Sequence, residues 1–201
     1  MTVIYDIYKR VLFYSESDIS LRKALELAVI KKVDLMWVDL AGSNLAGSNL
    51  KYARLRGANF AGANLAGSNF AGANLFDAKF IGSNLAGSNF AGSNLASSNL
   101  KRVNLKGSIL KVANLKEVNL KEGNLEGSDL EGANLTKSNL EKTNLINTIL
   151  KKAKLIGANL TDSDLTDSDL TDSDLTYADL TRAKLTRAKL TRINLTYAKG
   201  L

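Results

Sequence analysis

The sequence predicts an all-β solenoid: a four-sided parallel β-helix led by a short strand or hairpin and a capping α-helix. Three observations predict it. From Val33 to Lys199, Leu or Phe returns at every fifth position, from Leu35, Leu40 and Leu45 onward to Leu195. Phenylalanines and charges in that array match one another 20 residues apart. The first 32 residues lack the array and carry strand-like, then helix-like spacing instead.

In chain order, VIYDIYKRVLFY (residues 3–14) is rich in β-branched and aromatic types around Lys9 and Arg10, which suits a hairpin or a single strand. Ser15 to Asp18 is a polar break. Ser20 is placed to cap a helix whose Leu21, Ala24, Leu25, Ala28 and Val29 share one face. Lys31 and Lys32 suit its negative C-terminal end. Residues 1–32 are therefore expected to form a lid over the first coil, whose strand edges would otherwise stand open. Met36 and Trp37 are expected to pack beneath it.

Residues 33–201 form the array, about eight coils. Five residues advance an α-helix by about 1.4 turns, so the leucines would spread around it. In a strand they would alternate between faces, because five is odd. A bend in every repeat is required, and stacked coils then bury the leucines against one another. At separation 20, Phe60 falls over Phe80 and Phe70 over Phe90. The same register gives about 17 opposite-charge pairs against one like-charge pair, Lys101 with Lys121. Among the opposite pairs are Asp162 with Arg182, Asp167 with Arg187, Lys106 with Glu126, Glu117 with Lys137, and Arg102 with Glu122 and then Lys142. Separation 25 does nearly as well on charge, and the phenylalanines exclude it. Four repeats make one coil.

The corners change texture along the chain. Up to Leu95 they are mostly Ala-Gly, as at Ala61-Gly62, and glycine falls where a type II turn needs positive φ. Later corners, such as Thr166-Asp167, carry no glycine and are expected to be mostly type I. Gly62 and Asp167 decide between the two.

Runs such as AGANL, AGSNF and TYADL resemble the pentapeptide repeat family, whose motif is roughly A(D/N)LXX, over about five sixths of the chain. The resemblance implies a right-handed, four-sided β-helix with the central Leu or Phe and the small residue two positions before it pointing inward. Val103, Val118 and Ile193 are large for the small site, and Ile109 and Ile149 replace the polar residue. Similar hairpin-plus-helix leaders precede other bacterial and phage arrays of this family. Some members bind type II topoisomerases by resembling DNA in shape and charge.

The chemistry is bounded by what the chain lacks. With no histidine or cysteine, Ser-His-Asp and Cys-His catalysis, thiolate or histidine metal sites and disulfides are excluded. No phosphate loop of the GxxxxGK[ST] or GxGxxG kind occurs. The acidic run TDSDLTDSDLTDSD (residues 161–174) could be read as a calcium or acid/base site. Its aspartates instead match Arg or Lys one coil later, which makes them lattice positions. We expect no enzyme, no cofactor and no metal. With no signal peptide and no apolar run of transmembrane length, a cytoplasmic location is expected.

A net charge of +7 and a pI near 9.5 disfavour DNA mimicry, which needs continuous negative potential. Nucleic-acid binding needs a stripe of one sign, whereas here charge runs in bands around the rod. The expectation is a non-catalytic scaffold or protein-interaction rod, with neither nucleic acid nor membrane as partner. Modulation of DNA gyrase or another type II topoisomerase is the alternative that the resemblance implies; binding nucleic acid through the basic bands comes third. Phe76 and Ile81, on neighbouring corners, are the candidate contact patch. The last coil, with Arg187, Lys189, Arg192, Leu195 and Tyr197, is the candidate surface for an end-to-end homodimer. Its two cation rings would repel, so salt should strengthen the pairing.

Overall fold

The structure is a computed structural model and describes all 201 residues. Strands β1 (Thr2–Tyr5) and β2 (Val11–Ser15) pair as an antiparallel hairpin with a bulge between Ile4 and Tyr5. Asp6 builds its turn. Its fully buried carboxylate accepts the backbone N–H groups of Tyr8 and Arg10 at 2.9 Å each, and Arg10 Nε at 2.6 Å. Burial opposes ionisation, yet these donors outweigh it and hold the pKa below the ordinary aspartate value.

Helix α1 (Leu21–Ile30) starts at Ser20, whose Oγ accepts the Lys23 N–H, and buries Ala24, Leu25 and Ala28. It stops because Lys32 turns left-handed at φ +57°. Val33 N–H then reaches the Ala28 carbonyl and Lys32 N–H the Val29 carbonyl, a Schellman ending. The hairpin docks on the first coil, with Asp39 N–H on Tyr5 O and Ile7 N–H on Trp37 O, both 2.9 Å. Trp37 departs from expectation. Its ring lies on Gly57, one coil further along, rather than under the lid, and Met36 is exposed.

Parallel bridges link residues 20 apart without interruption, from Asp39 with Asn59 to Asp179 with Lys199. The result is a right-handed four-sided β-helix. Each side is three residues long and each corner two. The first and third residues of a side point inward, so every Leu or Phe from Leu40 to Leu180 is at most 2 % exposed. Phe60 stacks on Phe80 at 4.9 Å and Phe70 on Phe90 at 4.8 Å, while the two stacks meet edge to face. Val103 and Val118, large for the small site, are both buried at 1 % exposure. No helix is long and apolar enough to cross a membrane.

The corners correct the expectation for the later half. Gly62 has φ +65° as expected of type II, but Asp167 has φ +59°, and every corner from Trp37 to Tyr197 is left-handed at its second residue. Thirteen of these residues are glycine and twenty are not. The cause is the hydrogen-bond ladder along each corner. Gly62 N–H donates to Ile81 O, Gly82 N–H to Lys101 O, Arg102 N–H to Lys121 O, and so on to Asp162 and Thr181. A type I turn reverses that central peptide, which would set like groups face to face with the neighbouring coils. One type therefore propagates down the stack, whatever residue stands there.

Candidate interaction surfaces

Two textures share this one frame. Between Gly57 and Leu100 only Asp77 and Lys79 are charged. One side there carries an asparagine ladder: Asn64 Nδ2 donates to Asn44 Oδ1 at 3.2 Å, Asn84 to Asn64 at 3.3 Å and Asn104 to Asn84 at 3.0 Å. The Oδ1 atoms also accept the N–H two residues on, as Asn64 does from Ala66 and Asn84 from Ala86. Most corners beside them end at Cβ, so the surface is flat, neutral and open to close approach.

The last two coils are the opposite. Arg182, Arg187 and Arg192 each make bidentate bonds of 2.6–2.8 Å with Asp162, Asp167 and Asp172. Hydrogen bonding to the guanidinium holds each of these aspartates below its ordinary pKa. Asp179 is lowered to about 2 by Thr181 and Lys199. Asp164 and Asp169 accept the N–H and hydroxyl of Thr166 and Thr171 and face Lys184 and Lys189. The acidic run is thus divided among separate sides and corners. No group of three acidic side chains converges on a cation position.

Nine of the 20-residue charge matches close to within 4 Å. Arg102 with Glu122, Glu122 with Lys142, and Glu117 with Lys137 do not. Lys142 reaches Glu141 and Lys116 reaches Glu117 instead. Lysine and glutamate have enough free length to choose neighbours, whereas Asp opposite Arg closes a fixed fork.

Phe76 and Ile81 lie half-buried on adjacent corners, with the Arg56 guanidinium 5.3 Å over the Phe76 ring. Part of that patch is therefore already covered. In the last coil, Leu195 and Leu185 are partly exposed and Leu190 is 38 % exposed, while Tyr197 stacks on Tyr177 at 4.9 Å. Arg187, Lys189 and Arg192 ring this coil, but each turns back to an aspartate of the coil before. The expected repulsion between two cation rings is correspondingly weakened. Gly200 lies on the backbone of Leu180 and Thr181, where a Cβ would sit 2.3–2.7 Å from main-chain atoms.

A further surface escaped the sequence reading. The C-terminal half of α1 and the first coil enclose a groove of about 580 Å³ lined by Val29, Ile30, Val33, Tyr52, Lys51 and Arg54, among others. It arises from how the helix crosses the coil, and no motif signals that crossing.

Comparisons with known proteins agree with this architecture. A family model described as pentapeptide repeats (8 copies) matches residues 113–151 and 152–199, and one described as a pentapeptide repeat region matches 53–130. Among solved structures, a trypsin-treated form of QnrB1, a plasmid-mediated fluoroquinolone resistance protein, aligns with TM-score 0.74 and 20% identity, over 80% of this chain and 83% of that one. HetL, a pentapeptide repeat protein involved in heterocyst differentiation regulation in the cyanobacterium Nostoc, aligns with TM-score 0.54 and 24% identity over 88% and 93%. At these identities the likeness is one of fold. The search of curated proteins found no match.

Proposed function

The chain belongs to the pentapeptide repeat family, and from that premise we propose that it works as a non-catalytic rod that binds other proteins. The neutral stretch from Gly57 to Leu100 carries this reading. On the side of Asn64 and Asn84 a partner meets amides already bonded to one another and glycine corners that admit its backbone closely, so little desolvation opposes contact there. Phosphate backbones need cations at the surface, and this stretch offers one. Asp162, Asp164, Asp167, Asp172 and Asp179, held ionised by guanidinium, ammonium and hydroxyl donors, are poorly suited to proton transfer near neutral pH. The test compares proteins retained by the purified chain with those retained by the Ala66→Lys/Ala86→Lys variant at unchanged melting temperature. Retention of the same set by both would sink the reading. A gyrase supercoiling assay run alongside addresses the topoisomerase alternative, which would displace ours if the chain altered the reaction.

End-to-end pairing of two copies is part of the same proposal. It is supported by the partly exposed Leu185, Leu190, Ile193 and Leu195, framed by Arg187, Lys189, Arg192 and Tyr197. The N–H groups of Leu185, Arg187, Leu190, Arg192 and Leu195 have no partner in the chain and continue a ladder that the coils before them fill. Sedimentation should show a dimer that Leu190→Glu abolishes. A monomer at high protein concentration in both low and high salt would refute it.

A further inference from the structure

We infer that the groove between α1 and the first coil binds an acidic peptide segment of a partner protein, in extended form, along the edge of residues 49–54. That edge is open up to Arg54, whose carbonyl already accepts from Leu35 N–H at 3.1 Å. The inference rests on the reading of the chain as an interaction rod and adds the chemistry of one partner. Two independent features of the groove carry it.

The first is an unfilled backbone edge. In every later coil the carbonyls at the positions of Asn49 and Lys51 accept from the preceding coil, as Asn69 O does from Leu50 N–H and Ala71 O from Tyr52 N–H. The N–H at the position of Arg54 donates to the preceding coil, as Asn74 N–H does to Ala53 O. Asn49 O, Lys51 O and Arg54 N–H have no partner in the chain. The hairpin covers the side at 38–40 and stops short of this edge. Asn49 N–H is taken by a side chain, Glu26 Oε1 at 2.9 Å, so a carboxylate already meets this edge. An extended peptide can continue the ladder here by strand addition.

The second feature is charge beside apolar surface. Ile30 is 76 % exposed and Tyr52 70 % exposed. The Tyr52 ring is held flat, with Gly72 beneath it and Lys51 Nζ at 4.9 Å. Lys32, Lys51 and Arg54 stand around this floor without a carboxylate within 4 Å, while the one acid of the groove, Glu26, is paired with Arg22 at 3.2 Å. Alternation in an extended peptide sends acidic side chains to these cations and apolar ones to Ile30 and Tyr52.

The test uses the full chain and two fluorescein-labelled heptapeptides, one of alternating Glu and Val with a central Phe, the other with Lys for each Glu. Anisotropy at low salt should show the acidic peptide binding at least tenfold more tightly than the basic one. Lys51→Glu/Arg54→Glu should weaken it at least tenfold without changing the melting temperature, as both residues are exposed. The acidic peptide should also slow hydrogen exchange at the Arg54 amide. Binding of neither peptide, equal binding of both, or binding that survives the reversal would overturn the inference. Peptide failure while the neutral stretch still retains partners would leave the rod standing and remove only this site. A shift to dimers on titrating the chain alone, abolished by the same reversal, would assign the groove to a second copy and also overturn it.

Discussion

The coils between Gly57 and Leu100 and those between Thr161 and Lys199 have the same corner geometry built from opposite materials. In the first, most corners have glycine at the left-handed position, where it costs nothing sterically. In the second, Asp, Arg and Tyr occupy that position at φ +53° to +61°, a conformation costing an L-residue about 1–2 kcal/mol. The ladder imposes the turn, and the side chains follow. The early coils thus use backbone freedom and present a bare surface. The late coils accept backbone strain, and their corner side chains tie each coil to the next.

The largest effect should come from the feature that both regions share. Leu105→Arg buries an unpaired charge among stacked leucines and should destabilise by more than about 4 kcal/mol, or prevent folding. Its neighbour Lys106→Arg should change stability by less than about 0.5 kcal/mol. Equal melting temperatures for the two would contradict the inward assignment.

Glycine substitutions separate strain from packing. At Gly57 an added Cβ would lie 2.2 Å from the Trp37 ring, whereas at Gly62 it would meet nothing within 4 Å. Gly57→Ala should therefore cost about 2–3 kcal/mol and Gly62→Ala about 1 kcal/mol, the second being left-handed strain alone. Conversely, Val112 is β-branched, 70 % exposed and left-handed at φ +55°. Val112→Gly should stabilise by about 0.5–1 kcal/mol, since strain relief exceeds the entropy glycine adds to the unfolded chain. Denaturant melts of the three would show whether the ladder dictates the corner.

Acid should divide the two regions. Asp162, Asp164, Asp167, Asp172 and Asp179 have folded pKa values depressed below their unfolded ones. Their contribution is complete above the unfolded value and fades as pH falls through the folded values, from about 4 toward the Asp179 value of about 2. Amides of residues 161–199 should lose exchange protection across that window before those of residues 57–100, which hold one carboxylate. Uniform loss would show that the ion pairs do not stabilise their own coils. The smallest effect belongs to a single pair. Reversing Asp167 to Lys should lower the melting point slightly, and adding Arg187→Glu should restore part of it at low salt but not at high salt.

The coil register was legible because stacked phenylalanines and opposite charges each mark a neighbour 20 residues away. Ser20 and the apolar face from Leu21 to Val29 likewise announced the helix and its cap. The corner type at Asp167 was not legible, because local preference favours type I there and the deciding bonds lie in the next coil. Asp6 was hidden for a similar reason, since its role as the hairpin's hydrogen-bond hub depends on the chain folding back at Tyr8 and Arg10. Of the candidate surfaces, the last coil and the Phe76/Ile81 pair could be named from spacing. The groove beside Tyr52 needed the helix crossing, which is a tertiary fact.

The corner ladder also gives the rod an electrical direction. On each side, the peptide between the first two residues points its N–H toward the N-terminal end, as Asn64 does to Ser43 O, while the next points the other way, as Leu45 does to Asn64 O. Those two dipoles largely cancel. The corner peptide is left uncompensated, and along all four corners its N–H points toward the C-terminal end, as Gly47 does to Ala66 O. Four columns of aligned peptides therefore add up to a macrodipole with its positive pole at the last coil and its negative pole at the first, the reverse of an α-helix. Lys51 and Arg54 stand near the negative pole and offset the backbone field there, whereas at the positive pole the last coil carries cations, each turned back onto an aspartate of the coil before.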